Sequence, residues 1–216
     1  MQALIGPLQE LAEFEAIQKE KQKEAGVLQI SGCVNSQKTH MMYALGDGCK
    51  YRVIACSSES KARQVYEEYH MLDPETYFYP AKDLLFFQAD IHGNLLIRQR
   101  MRVIRALLEQ EEVTVVTSID GCMDFLMPLE KIRSRLLHFK SDSVIDLDQL
   151  KEELVELGYE RTGQVELPGQ FSVRGGIIDI YPLTEDNPWR IELWDDEVDS
   201  IRSFDAESQR SLENMD

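Results

Sequence analysis

The chain has 216 residues, is 43% hydrophobic and carries a formal net charge of −16, so it is long enough for one large domain or two small ones, each with its own core. No stretch approaches the roughly eighteen uncharged apolar residues of a membrane span, and the start MQALIGPLQELAEFE carries acids where a signal peptide carries bases, so no membrane partner and a cytoplasmic location are expected. Cys33, Cys49, Cys56 and Cys122 show neither CxxC spacing nor a clustered histidine, and reduced, buried thiols are expected rather than a metal site or a disulfide framework.

The charge is unevenly placed. Residues 1–140 hold 17 basic and 19 acidic side chains, net −2, whereas residues 141–216 hold 6 and 20, net −14. A surface as acidic as the second part repels phosphate backbones, which points to a protein partner rather than to direct DNA binding.

In chain order, Leu4, Leu8, Leu11 and Ile17 stand at helical spacing within an amphipathic helix over 3–24. The apolar run VLQIS at 27–31 predicts a buried strand, followed by a loop and a helix from about Gln37. YRVIAC at 51–56 predicts a second strand, KARQVYEEYH at 61–70 a helix, residues 94–110 another helix, and VTVVT at 113–117 a β-branched strand. This alternation implies a parallel sheet covered by helices. Beyond residue 140 the pattern changes to one helix at about 147–157, opened by Asp146 or Asp148 and closed by Gly158. The short strands QFSVR, GIIDIYP, WRIELW and EVDSIRSF follow, separated by Gly175-Gly176, residues 184–188 and Asp195-Asp196. The expected architecture is therefore α/β: a parallel-sheet, P-loop-like domain over 1–138 and a smaller α+β domain with antiparallel hairpins over 139–216.

The P-loop reading rests on Gly32-Cys33-Val34-Asn35-Ser36-Gln37-Lys38-Thr39. Such a loop wraps phosphates with backbone N–H groups, reaches them with a lysine and holds magnesium with a hydroxyl. Gly32, Lys38 and Thr39 are in register, but Gln37 occupies the place of the second glycine, where a Cβ hinders close approach to the phosphates. No acidic residue ends VTVVT to hold magnesium; Thr117 and Ser118 stand there instead. The loop is thus expected to be degenerate, with no catalytic residue and no bound nucleotide, a vestigial anion site being the remaining alternative. His40, His70, His92 and His138 are scattered. Asp195, Asp196 and Glu197 read as a hairpin turn rather than a metal site, and Lys131, Arg133, Arg135 and Lys140 as an exposed surface rather than a nucleic-acid contact.

The stretch Gly169-Gln170-Phe171-Ser172-Val173-Arg174-Gly175-Gly176-Ile177-Ile178-Asp179-Ile180-Tyr181-Pro182, followed by Trp189-Arg190-Ile191-Glu192-Leu193-Trp194-Asp195-Asp196-Glu197 and then Phe204-Asp205, closely resembles the second domain shared by UvrB and the bacterial transcription-repair coupling factors (the Mfd family). Asp205 to Arg210 is similar to the coupling-factor version, as are Tyr79 to Phe86 and the helix around Arg98 to Leu108. The resemblance implies that residues 1–138 correspond to the first part of a split UvrB-like domain and 139–216 to the UvrA-binding domain. It implies a non-catalytic fragment of a longer protein that recruits UvrA to stalled RNA polymerase, while RNA polymerase, DNA, ATP and magnesium are engaged by later domains. Family correspondence places UvrA binding on Arg174, Arg190 and Trp194, where alternation puts Arg190, Glu192 and Trp194 on one strand face and an exposed patch is expected. The alternative is a nucleotide-binding, UvrB-type helicase fragment contacting damaged DNA.

Overall fold

The computed structural model describes residues 2–21, 27–82, 90–110 and 112–215. Chain contacts divide it into two compact units, Met1–Phe87 with Arg102–Leu126 and Gln88–Met101 with Met127–Asp216.

The first unit opens with helices α1 (Gln2–Gln9) and α2 (Phe14–Lys21), then α3 (Asn35–Gly46), β1 (Tyr51–Cys56), α4 (Glu59–His70), β2 (Thr76–Tyr79), α5 (Asp90–Glu109), β3 (Val113–Ser118) and α6 (Ile119–Cys122). Residues of α5 up to Met101 group with the second unit and those from Arg102 with the first. The strands form a three-stranded parallel sheet in the order β1-β3-β2. The central strand β3 is buried at every position, as a strand covered on both faces must be. On one face Val113 and Val115 pack with Val103, Ala106 and Tyr79; on the other Val116 packs with Phe78, Val65, Ala62 and Cys56.

The strand predicted at 27–31 does not form. Val27 is fully exposed, and only Ile30 of this run packs inward, against the cluster of Ile5, Leu8, Phe14, Met41 and Tyr69. A five-residue apolar run cannot be assigned by periodicity alone, and among the described residues β1 pairs only with β3. The first predicted helix is broken instead of continuous: α1 and α2 are separated at 10–13, where the amides of Leu11 and Phe14 donate to Leu8 and Leu11 carbonyls, and residues 22–24 lie outside the described part. The strand β2 has no counterpart in the sequence reading.

The second unit contains α7 (Leu129–Arg133), α8 (Leu147–Glu156) and β4 (Glu160–Arg161), β5 (Gln170–Arg174), β6 (Ile177–Ile180), β7 (Trp189–Trp194), β8 (Glu197–Phe204) and β9 (Ser211–Asn214). These six strands lie in sequence order; all neighbours are antiparallel except β4 and β5. Asp146 caps α8, its Oδ1 accepting from the amides of Asp148 (2.9 Å) and Gln149 (3.1 Å). Leu150 and Leu154 of α8 pack on Phe171, Ile178, Ile180, Ile191, Val198 and Ile201. Every second residue of β5 to β7 therefore faces the helix and the intervening residues lie on the opposite face. The β5–β6 and β7–β8 turns are the two-residue turns Gly175-Gly176 and Asp195-Asp196, with Gly175 and Asp195 at φ near 60°, as hairpins of this length require.

Residues 122–136 are exposed at almost every position and contain Lys131, Arg133 and Arg135. Limited trypsin digestion is expected to cut first within 131–140 and to release two protected pieces. Early cleavage inside β5 to β8, at Arg174 or Arg190, would contradict a division of the chain here.

Candidate functional site

The loop that leads into α3 has Gly32 at φ 89°, and Lys38 opens the helical hydrogen bonding by donating its amide to the Val34 carbonyl at 3.0 Å. Two side chains of this loop have partners within the protein. The Gln37 side chain folds back so that its Oε1 accepts from the Val34 amide at 3.4 Å. The Thr39 hydroxyl is buried and donates to Glu68 Oε2 of α4 at 2.7 Å, while Lys38 is exposed. At the carboxyl end of β3, Thr117 donates to the Tyr79 carbonyl (2.8 Å) and Ser118 to Glu59 Oε2 (2.8 Å). A Cβ on Gly121 would stand 2.3 Å from Thr117 Oγ1, so this strand end is closed by packing. Among the described residues no group of three or more His, Cys, Asp and Glu side chains forms a metal cluster.

The second unit brings its three sequence-predicted site residues onto one sheet face. Phe171, Val173, Ile178, Ile180, Ile191 and Leu193 pack toward α8, which leaves Arg174, Asp179, Arg190, Glu192 and Trp194 on the other side. An extra residue in β8, Asp199, shifts the β7–β8 pairing between Glu192 and Leu193 without interrupting alternation along β7. Trp194, beside the Asp195-Asp196 turn, is 80% exposed.

The two arginines converge on one carboxylate that the sequence reading did not single out. Asp179 is fully buried. Its Oδ1 accepts from Arg190 Nε at 2.7 Å, and its Oδ2 accepts from Arg190 Nη2 at 2.9 Å and Arg174 Nη2 at 2.7 Å. The Arg190 guanidinium also lies 4.4 Å from the Phe204 ring centroid and reaches Gln209 Oε1 at 3.4 Å. Gln209 is tied in turn to the carbonyls of Val165 (3.1 Å) and Ala206 (2.7 Å). Hydrogen bonding to Asp179 raises the Arg190 pKa still further, against the opposing effect of burial. Beside this triad Arg202 pairs with Glu192.

The expected exposed patch is therefore only partly exposed. Arg174 keeps half of its side-chain surface, but Arg190 keeps 16%, because it is consumed in holding a buried charge. A sequence signal for this did exist: Asp179 interrupts the apolar run Ile177-Ile178-Asp179-Ile180, and a carboxylate buried in such a strand requires a cation.

Residues 137–216 match the family model of the UvrB interaction domain. The chain is 44% identical over 143 residues to the transcription-repair-coupling factor of Bacillus subtilis, a match that covers 66% of this chain and 12% of that protein. The transcription-repair-coupling factors of Staphylococcus epidermidis and Staphylococcus aureus are 40% and 38% identical over 143 and 142 residues, again 66% of this chain and 12% of each relative. The chain thus spans about an eighth of the length of these relatives. Residues 137–216 thus resemble the UvrB interaction domain, and about two thirds of the chain is similar in sequence to the transcription-repair-coupling factors.

Proposed function

We propose that this chain is a non-catalytic recruitment module whose second unit binds UvrA, as part of a longer coupling factor that brings excision repair to stalled RNA polymerase in the cytoplasm. In this reading RNA polymerase, DNA, ATP and magnesium are engaged by other parts of the longer protein. The observation that carries it is the sheet face on which Arg174 and Trp194 are exposed beside the braced Arg190, within the region that matches a UvrB interaction domain. Arginine and tryptophan are the side chains that most often anchor protein interfaces, and here they stand in a part of the chain whose charge is otherwise strongly negative.

The first unit is read as a P-loop-like domain that has lost its nucleotide, with 1–138 and 139–216 as the folding domains. Support comes from Gln37 closing on the Val34 amide and from Thr39 spending its hydroxyl on Glu68. Calorimetry with Mg-ATP should accordingly show no saturable binding at millimolar nucleotide. A micromolar affinity that disappears in Lys38→Ala would favour the nucleotide-binding alternative instead.

For the interface, Trp194→Ala is expected to weaken UvrA binding about tenfold, or about 1.4 kcal/mol, with no change in melting temperature, since the ring is mostly in solvent. Arg190→Ala should lower both affinity and stability, the latter by about 3 to 5 kcal/mol, because it strips the bidentate partner from a buried carboxylate. Binding titrations and thermal melts on the same preparations check both. Full UvrA affinity in an Arg174→Ala, Trp194→Ala double variant would rule the interface out.

A further inference from the structure

The sheet face holds more positive charge than its buried carboxylate needs. Asp179 sits in the middle of β6, its neighbours Ile178 and Ile180 turned into the core and its own side chain fully buried. Arg190 by itself supplies a bidentate pair through Nε and Nη2, the geometry in which a guanidinium best matches a carboxylate, and Phe204 and Gln209 fix it from two further sides. Yet Asp179 Oδ2 also accepts from Arg174 Nη2 at 2.7 Å. Arg174 is the last residue of β5, beside the Gly175-Gly176 turn, and half of its side chain is in solvent. A long side chain there would ordinarily sample many rotamers and lose that freedom on binding. One bond to a buried, immobile oxygen orients it in advance and leaves most of its five N–H donors unused. The three groups together carry a formal charge of +1 in a region, residues 141–216, whose net charge is −14.

We propose that Asp179 is a positioning residue: it holds Arg174 and Arg190 as a fixed pair, so that Arg174 meets a carboxylate on the protein partner already oriented. This rests on the UvrA-binding reading above. The two arginines then have different duties, Arg190 bracing the carboxylate and Arg174 presenting the rim donors.

Charge and positioning make opposite predictions for Asp179→Asn, which preserves shape and raises the local formal charge by one. A patch that acted by charge alone would bind a carboxylate-bearing partner as tightly as before or tighter. Positioning predicts that UvrA affinity falls about fivefold or more in a variant shown to be folded by circular dichroism. It also predicts that the same substitution costs nothing further in an Arg174→Ala background, since the effect passes through Arg174. Undiminished affinity in folded Asp179→Asn, or fully additive losses, would overturn the proposal. Because Asp179→Asn leaves guanidinium donors short of a partner and threatens the fold, a second measurement uses the unmodified chain. Arginine side-chain NMR, with the resonance assigned through Arg174→Lys, should show hindered rotation about Nε–Cζ of Arg174 before any partner is added; free rotation refutes positioning. If Arg174→Ala and Trp194→Ala also leave UvrA binding intact, it is the choice of partner that fails, and the NMR result still decides whether Asp179 holds the pair.

Discussion

A carboxylate enclosed in an apolar strand is tolerated only when cations reach it, and in the second unit that requirement organises one whole side of the sheet. Asp179 takes both oxygens out of water, a step that would cost several kcal/mol without partners, and three N–H groups from β5 and β7 replace the lost hydration. For this to happen β5, β6 and β7 must be in the observed register, with Ser172 opposite Asp179 and Asp179 opposite Arg190. Phe204 must lie under the Arg190 guanidinium, and the turn at 205–210 must bring Gln209 over it.

The other side of the same sheet secures that register by hydrophobic burial. Strand alternation means that a slip of one residue would turn Ile178 and Ile191 toward the polar side and Asp179 and Arg190 toward α8. Burial of each large aliphatic side chain in the α8 cluster contributes about 1.5 to 3 kcal/mol, so the apolar face selects the register and the polar face inherits a geometry. The acidic excess of this unit sits largely at turns and on exposed strand positions, including Asp195, Asp196, Glu197 and Asp199, where solvation is retained. A half-exposed cation such as Arg174 is correspondingly conspicuous there.

The first unit shows how an α/β layer is held together by polar contacts of its own. Arg52 of β1 bonds Asp73 Oδ2 (3.0 Å), Glu112 Oε2 (2.6 Å) and Thr114 Oγ1 (3.2 Å), joining β1 and β3 to the segments that precede β2 and β3. At the other end of the sheet Thr117, Ser118 and Glu59 cross-link the strand ends. Thr39 ties α3 to α4 through Glu68. The hydroxyls of Thr39, Thr117 and Ser118 are thus all engaged within the protein.

Much of this was legible in the residues. The β-branched run at 113–117 specified a strand of a helix-covered sheet, Asp146 or Asp148 and Gly158 marked the ends of α8, and Gly175-Gly176 and Asp195-Asp196 marked the hairpin turns, because these signals are local and act through backbone conformation. The motif around Phe171 to Trp194 carried the family and the candidate residues, and Gln37 carried the expectation of a degenerate loop. Other features depended on partners distant in sequence. VLQIS at 27–31 reads as a strand, but a strand needs a neighbour, and only the folded chain shows that β1 does not provide one among the described residues. The sequence placed Arg190 in a patch expected to be exposed, whereas its side chain keeps only 16% of its surface in solvent. That was decided by Asp179, eleven residues earlier, and by Phe204 and Gln209, fourteen and nineteen residues later, since the burial of a charge is settled by what the tertiary structure folds over it.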